Sequence, residues 1–77
     1  MQKFLVVRKN PESEYHIFTA EGTPKECTGS TLSICKNITK EETLEGEKLV
    51  TCMGKPSTMV SISKAEGKIC KNCLNLF

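Results

Sequence analysis

Short apolar segments separated by turn-forming residues run along most of the chain. Residues 4–8 (FLVVR) are apolar and β-branched, and residues 14–19 (EYHIFT) are rich in strand formers. The segment between them, residues 9–13 (KNPES), favours a turn, so the pattern predicts a β-hairpin. Three further strands are predicted, at residues 31–35 (TLSIC), 48–52 (KLVTC) and 58–62 (TMVSI).

One short helix is predicted between the strands at residues 31–35 and 48–52. Thr39 and Glu42 have the spacing of a helix capping box, but Gly46 follows only four positions later. The helix is therefore expected to have one or two turns. The elements together predict an α+β fold, a small β-rich domain of antiparallel hairpins with at most one or two short helices.

The length of the chain limits the size of its core and the stability that the core can provide. With 77 residues we expect one domain, residues 1–77, because so short a chain cannot divide its apolar residues between two cores. The chain has no tryptophan and few other aromatic residues. Because burial in so small a domain only about offsets the entropy lost on folding, we expect an additional cross-link, and the five cysteines are the candidates.

The sequence contains neither a long apolar segment nor an apolar N-terminal region of signal-peptide length. We therefore expect a cytoplasmic protein that does not contact a membrane. Thiols stay reduced in that compartment, which favours zinc over disulfides, and the odd number of cysteines favours the same conclusion. The net charge of +2 is spread along the chain and does not by itself indicate nucleic acid.

Cysteine spacing provides the candidate metal ligands. Cys70 and Cys73 form a Cys-x-x-Cys pair, which supplies two sulfurs on one side of a zinc ion. Cys52 is the preferred third ligand, because it ends an apolar strand at a turn that contains Gly54. Spacing alone does not identify the fourth ligand. His16, the single histidine, is a candidate and lies in a predicted strand.

These residues resemble a pattern found in small zinc-binding proteins of phages and bacteria. The resemblance is carried by His16 on an early strand, by residues 51–55 (TCMGK) and by residues 69–74 (ICKNCL). It implies a zinc site formed by His16, Cys52, Cys70 and Cys73. It also implies an accessory protein that binds and modulates a host protein in the host cytoplasm.

The sequence departs from that pattern at an insertion, residues 25–47, which carries Cys27 and Cys35. Either cysteine is an alternative to His16. An all-thiolate set of Cys35, Cys52, Cys70 and Cys73, similar to a zinc ribbon, is the main competitor, and Cys27 is the expected spare thiol. A disulfide framework is a further alternative.

The chemistry of the chain favours binding over catalysis. The Cys-x-x-Cys pair is followed by too few residues for a thioredoxin-like framework, and we find no phosphate-binding loop or catalytic triad. We therefore expect no enzyme and no catalytic residue. An ion with four protein ligands has no open position and is structural.

Two kinds of partner are compatible with this interpretation. Leu74, Leu76 and Phe77 form either a docking patch for another protein or a cover for the small core. Lys64, Lys68 and Lys71 favour a zinc-ribbon-like nucleic-acid-binding module, but the chain has only one arginine and no aromatic residue interleaved with these lysines. A protein partner is preferred, and the sequence leaves the oligomeric state open.

Overall fold

The computed structural model describes residues 2–65 and 67–77. Four strands are followed by two helices: β1 (Lys3–Arg8), β2 (His16–Gly22), β3 (Cys27–Gly29), β4 (Glu47–Met53), α1 (Lys55–Lys64) and α2 (Lys71–Leu76), with a 3₁₀ turn at Lys40–Thr43 before β4. The predicted β-rich α+β fold is confirmed. Neither helix combines the length and the apolar character needed to cross a bilayer, in the part of the chain that the structure describes.

The four strands form one antiparallel sheet in the order β3-β2-β1-β4. The predicted hairpin is confirmed as β1 and β2, which pair Phe4 with Thr19 and Val6 with Ile17. The turn between them closes where Asn10 accepts hydrogen bonds from the backbone N–H groups of Glu12 and Ser13. The predicted strand at residues 48–52 is confirmed within β4.

The sheet curls until its two edges meet. β3 and β4 lie at opposite ends of the strand order, yet a disulfide joins Cys27 to Cys52 with 5.6 Å between their Cα atoms. The curvature is concentrated in β4, where the pairing with β1 shifts register twice and Cys52 has a φ of 50°. Such irregularities bend a strand and increase its twist.

The expectation of a single core is wrong, because alternation along the strands divides the buried side chains between two cores, one on each face of the sheet. The inner core lies on one face of the sheet and contains Leu5, Val7, Phe18, Ala20, Ile38 and Cys52. The helix-side core lies on the other face and contains Phe4, Val6, Tyr15, Ile17, Val50, Ile62, Ala65, Ile69, Cys70 and Cys73. The two strands of the hairpin therefore contribute to both cores, and α2 adds two cysteines to one of them.

The prediction of a strand at residues 58–62 is wrong, because this segment lies inside α1. Gly54 is the N-cap of that helix and Pro56 lies in its first turn, a position that suits proline. Thr58 donates its hydroxyl to the Gly54 carbonyl at 2.8 Å. Thr58 and Ile62, four residues apart, are both buried, so the spacing of buried residues is helical.

The prediction of a strand at residues 31–35 is also wrong. The segment folds into tight turns, with the Ser33 N–H donating to the Ile38 carbonyl and the Lys36 N–H donating to the Ser33 carbonyl. Its one strand-like feature is an isolated bridge between Leu32 and Thr39. The capping box at residues 39–42 is present as predicted, at the start of the short 3₁₀ turn.

Candidate metal centre

Four side chains with metal-binding atoms converge at one end of the sheet. They are His16, Cys35, Cys70 and Cys73, and their ligand atoms all lie within 4.8 Å of one another. His16 begins β2, Cys35 lies in the loop of residues 33–38, and Cys70 and Cys73 lie at the start of α2. Cys70 and Cys73 are buried, whereas His16 and Cys35 are partly exposed.

The short length of β3 creates the place where these residues meet. β3 pairs only with Ala20–Gly22 of β2, so the earlier part of the same β2 edge is free for other partners. Alternate residues of a strand present their backbone groups to the same edge. Ser30, Ile34 and Cys70 donate their N–H groups to successive carbonyls along it, those of Thr19, Ile17 and Tyr15.

The two cysteine-bearing loops therefore dock on the same strand on either side of His16. Ile34 donates to the Ile17 carbonyl at 2.8 Å, and Cys70 donates to the Tyr15 carbonyl at 2.9 Å. Tyr15 also donates its N–H to the Lys68 carbonyl, which fixes the approach to α2. Backbone hydrogen bonds thus position Cys35 and Cys70 independently of any side-chain ligand.

The Cys35 loop reverses direction sharply at Lys36, which has a φ of 62°. This left-handed conformation is unfavourable for a residue with a Cβ, and such conformations are often retained at functional sites. The reversal places the Cys35 sulfur 3.1 Å from the Ser33 hydroxyl and 3.6 Å from His16 Nδ1. The conformation that directs Cys35 toward His16 therefore includes a strained backbone at Lys36.

The Cys-x-x-Cys pair is positioned by the first turn of α2. Cys70 is the N-cap residue and Cys73 lies one turn later, so both sulfurs reach the same side. Cys73 is fully buried, and its sulfur lies 3.8 Å from His16 Nδ1. The Ile17 backbone N–H donates to this sulfur at 3.4 Å, as second-sphere groups do around metal-bound thiolates.

Two distances within the cluster are close to those of a tetrahedral zinc site. Zn–S bonds of about 2.3 Å and Zn–N bonds of about 2.0 Å require sulfur–nitrogen separations of about 3.5 Å and sulfur–sulfur separations of about 3.8 Å. The two sulfur–nitrogen distances, 3.6 Å and 3.8 Å, are close to the required value. Three sulfurs and one imidazole nitrogen are also a donor set that zinc accepts in structural sites.

The protonation of the thiols indicates that a cation would suit this site. Burial opposes ionisation of Cys35, but hydrogen bonds from the Ser33 hydroxyl and the Asn37 backbone outweigh it and lower the pKa of this thiol to about 6. Burial raises the pKa of Cys73 to about 12, against the hydrogen bond from Ile17. Three sulfurs this close cannot all be thiolates unless a cation compensates their repulsion.

The structure corrects the expected role of Cys52. His16, Cys70 and Cys73 of the predicted set lie together, but Cys52 lies in the inner core and is bonded to Cys27. The expectation that Cys27 is the spare thiol is corrected by the same bond. Cys35, which sequence reasoning kept as an alternative, occupies the fourth position because its loop docks on β2 beside His16.

A signal for Cys35 was present in the sequence. The tetrapeptide Ile-Cys-Lys-Asn occurs twice, at residues 34–37 and 69–72, and in the structure both copies bring their cysteine to the metal centre. The isoleucine of each copy packs in or against the helix-side core, and both copies carry exposed lysine and asparagine residues. The repeat therefore marks the two segments that bring Cys35 and Cys70 into the cluster.

Comparisons of the chain with protein-family models, with curated proteins and with solved structures found no match. The candidate metal centre therefore rests on its own geometry. The resemblance to small zinc-binding proteins of phages and bacteria stays a hypothesis.

Proposed function

We propose that this chain is a small, non-enzymatic zinc-binding protein whose ion is structural. The observation that carries the proposal is the convergence of His16, Cys35, Cys70 and Cys73, with all ligand atoms within 4.8 Å of one another. Four protein ligands complete a tetrahedron and leave no position for water or substrate. The ion in this proposal stabilises the fold and does not take part in a reaction.

The arrangement of the ligands indicates what the ion would stabilise. It would connect three separate parts of the chain: the first residue of β2, the loop of residues 33–38, and α2, which spans six residues. A helix of that length has little stability in water unless it is packed or anchored. Structural zinc contributes about 10–16 kcal/mol of apparent binding free energy, which matches or exceeds the whole stability of most small domains.

We further propose that the stabilised surface binds another protein, as an accessory protein of the phage type that modulates a host protein in the host cytoplasm would do. This step is supported only by the sequence resemblance and by apolar residues exposed on the two helices, Leu74 and Leu76 among them. The Cys27–Cys52 disulfide is unusual for a cytoplasmic protein. A thiol count on protein whose free thiols are blocked at the moment of cell lysis therefore tests the proposed location.

The alternative is a zinc-ribbon-like module that binds nucleic acid. It is favoured by the unequal distribution of charge: of the nine acidic residues only Glu66 follows Gly54, whereas four lysines do. The single arginine counts against this alternative, because Arg8 already pairs with Glu47 and stacks on Tyr15. Nucleic-acid binding should show a steep salt dependence, which an apolar protein interface would lack.

Mass spectrometry of the intact protein tests the metal proposal. Under native conditions we expect one zinc ion per chain, and under denaturing conditions three free thiols and one disulfide. Cys35→Ser should lose the ion and Cys27→Ser should keep it, which makes the two variants a matched pair. A chain that stays fully folded after exhaustive chelation, with no divalent metal recovered, would refute the proposal.

A further inference from the structure

A groove is lined by residues of both helices and of the segment between them. The groove has a volume of about 340 Å³ and is lined by Ile62, Ser63, Gly67, Ile69 and Leu74. Ile69 precedes the ligand Cys70, and Leu74 follows the ligand Cys73. One wall of the groove is therefore built from the segment that the ion would anchor, and the inference below depends on the proposed function to that extent.

Both helices also carry exposed apolar side chains. Leu74 is 43% exposed, and Met59, one turn before Ser63 on α1, is 53% exposed. Four of the seven large hydrophobic side chains that the structure records as exposed belong to the two helices: Met59, Val60, Leu74 and Leu76. A groove whose neighbouring helices carry several exposed apolar side chains is typical of an interaction site.

Lysines outnumber acidic residues in the part of the sequence that lines the groove. Lys64 follows Ser63 in the sequence, Lys68 lies between Gly67 and Ile69, and Lys71 begins α2, and all three lysines are exposed. Residues 55–77 carry four lysines and one glutamate, a net charge of +3, whereas the rest of the chain has a net charge of −1. Within residues 2–65 and 67–77 the one recorded ion pair, Arg8 with Glu47, lies elsewhere.

We propose that the groove between α1 and α2 binds an acidic amphipathic segment of a partner protein. The apolar floor would accept one or two large aliphatic or aromatic side chains, and the surrounding lysines would attract the carboxylates between them. A nucleic acid fits less well, because Phe77, the one aromatic residue in this region, is partly buried and packs edge-on against Phe4 with ring centroids 4.8 Å apart. The Lys55 ammonium also lies over this ring, 5.1 Å from its centroid, so that face is not free for base stacking.

Nuclear magnetic resonance with ¹⁵N-labelled, zinc-loaded protein tests this proposal. The probe is a short synthetic helical peptide with leucine and phenylalanine on one face and glutamate on the other. We expect its addition to shift the amide signals of Ser63, Gly67 and Leu74. A peptide with lysine in place of every glutamate, and a glutamate peptide without the apolar residues, should not shift them.

Charge-reversal variants locate the interaction. Lys64→Glu/Lys68→Glu should weaken peptide binding about tenfold, because two attractive contacts become repulsive. Lys25→Glu/Lys48→Glu changes the net charge equally at exposed positions on other elements and should leave binding within about twofold. Ser63→Tyr, which fills the groove from an exposed position, should abolish the shifts.

The outcomes separate the two proposals. Zinc content and the dispersion of the spectrum are recorded for every sample, and a parent chain without zinc would refute the proposed function. Zinc-loaded, well-dispersed protein that shows no shifts, or shifts outside the groove, would refute the groove alone. If single-stranded DNA or RNA shifts the same signals and the acidic peptide does not, the partner is a nucleic acid and the inference is overturned.

Discussion

The most informative perturbation removes the Cys27–Cys52 disulfide, because the structure assigns these two cysteines to a role separate from metal binding. The bond closes a loop with a sequence separation of 25 residues between the two edges of the sheet. Chain-entropy theory assigns a loop of this size about 3.5 kcal/mol of stabilisation at 25 °C. The total stability of a domain of this length is on the order of 4–12 kcal/mol, so the loss is large.

We therefore expect Cys27→Ala/Cys52→Ala to lower the Tm by about 20 °C at saturating zinc. The variant should still bind one zinc ion, since neither cysteine lies within the ligand cluster. Circular dichroism measures the first quantity, and native mass spectrometry measures the second. Cys35→Ala is the matched control and should lose the ion.

Two results would refute this reasoning. Loss of zinc from the double variant would show that Cys52 is a ligand, as the spacing of the cysteines suggested. An unchanged Tm would show that the edges of the sheet are held together by packing, and that the disulfide adds nothing to stability.

Three further substitutions test the ligand set and the two cores. His16→Cys should retain zinc as an all-thiolate site whereas His16→Ala should lose it, and equal zinc content in the two would remove histidine from the ligand set. Lys36→Gly should raise the stability by up to about 1 kcal/mol because the left-handed conformation at this position suits glycine, and a lower urea midpoint would contradict the strain argument. Phe18→Ala should cost about 3–5 kcal/mol in urea denaturation because the ring is fully buried in the inner core, while zinc content stays unchanged; a cost below about 1 kcal/mol would contradict the core assignment.

Local sequence patterns predicted the elements that depend on local interactions. The hairpin of β1 and β2 followed from two β-branched segments around a turn, and the capping box at Thr39 marked the 3₁₀ turn. Residues 58–62 were wrongly predicted as a strand because threonine, valine and isoleucine favour strands when considered alone. Gly54 and Pro56, which begin the helix, were the better evidence.

The metal centre was predictable only in part, because its geometry depends on tertiary structure. The spacing of Cys70 and Cys73 is a local signal, and it was sufficient to mark them as a pair. The choice between Cys35 and Cys52 depended on which loop docks on β2 and on how far the sheet curls. Neither property is encoded in residue spacing, although the repeated Ile-Cys-Lys-Asn tetrapeptide was a usable clue.

The two loops that dock on β2 on either side of His16 have a consequence for the fidelity of folding. If β2 slipped by one residue against these loops, Tyr15 or Ile17 would take the place of the imidazole, and neither side chain binds zinc. A chain with β2 in the wrong register would therefore lose the stabilisation that zinc binding provides. Zinc binding would thereby stabilise the correct register of β2 relative to the neighbouring registers.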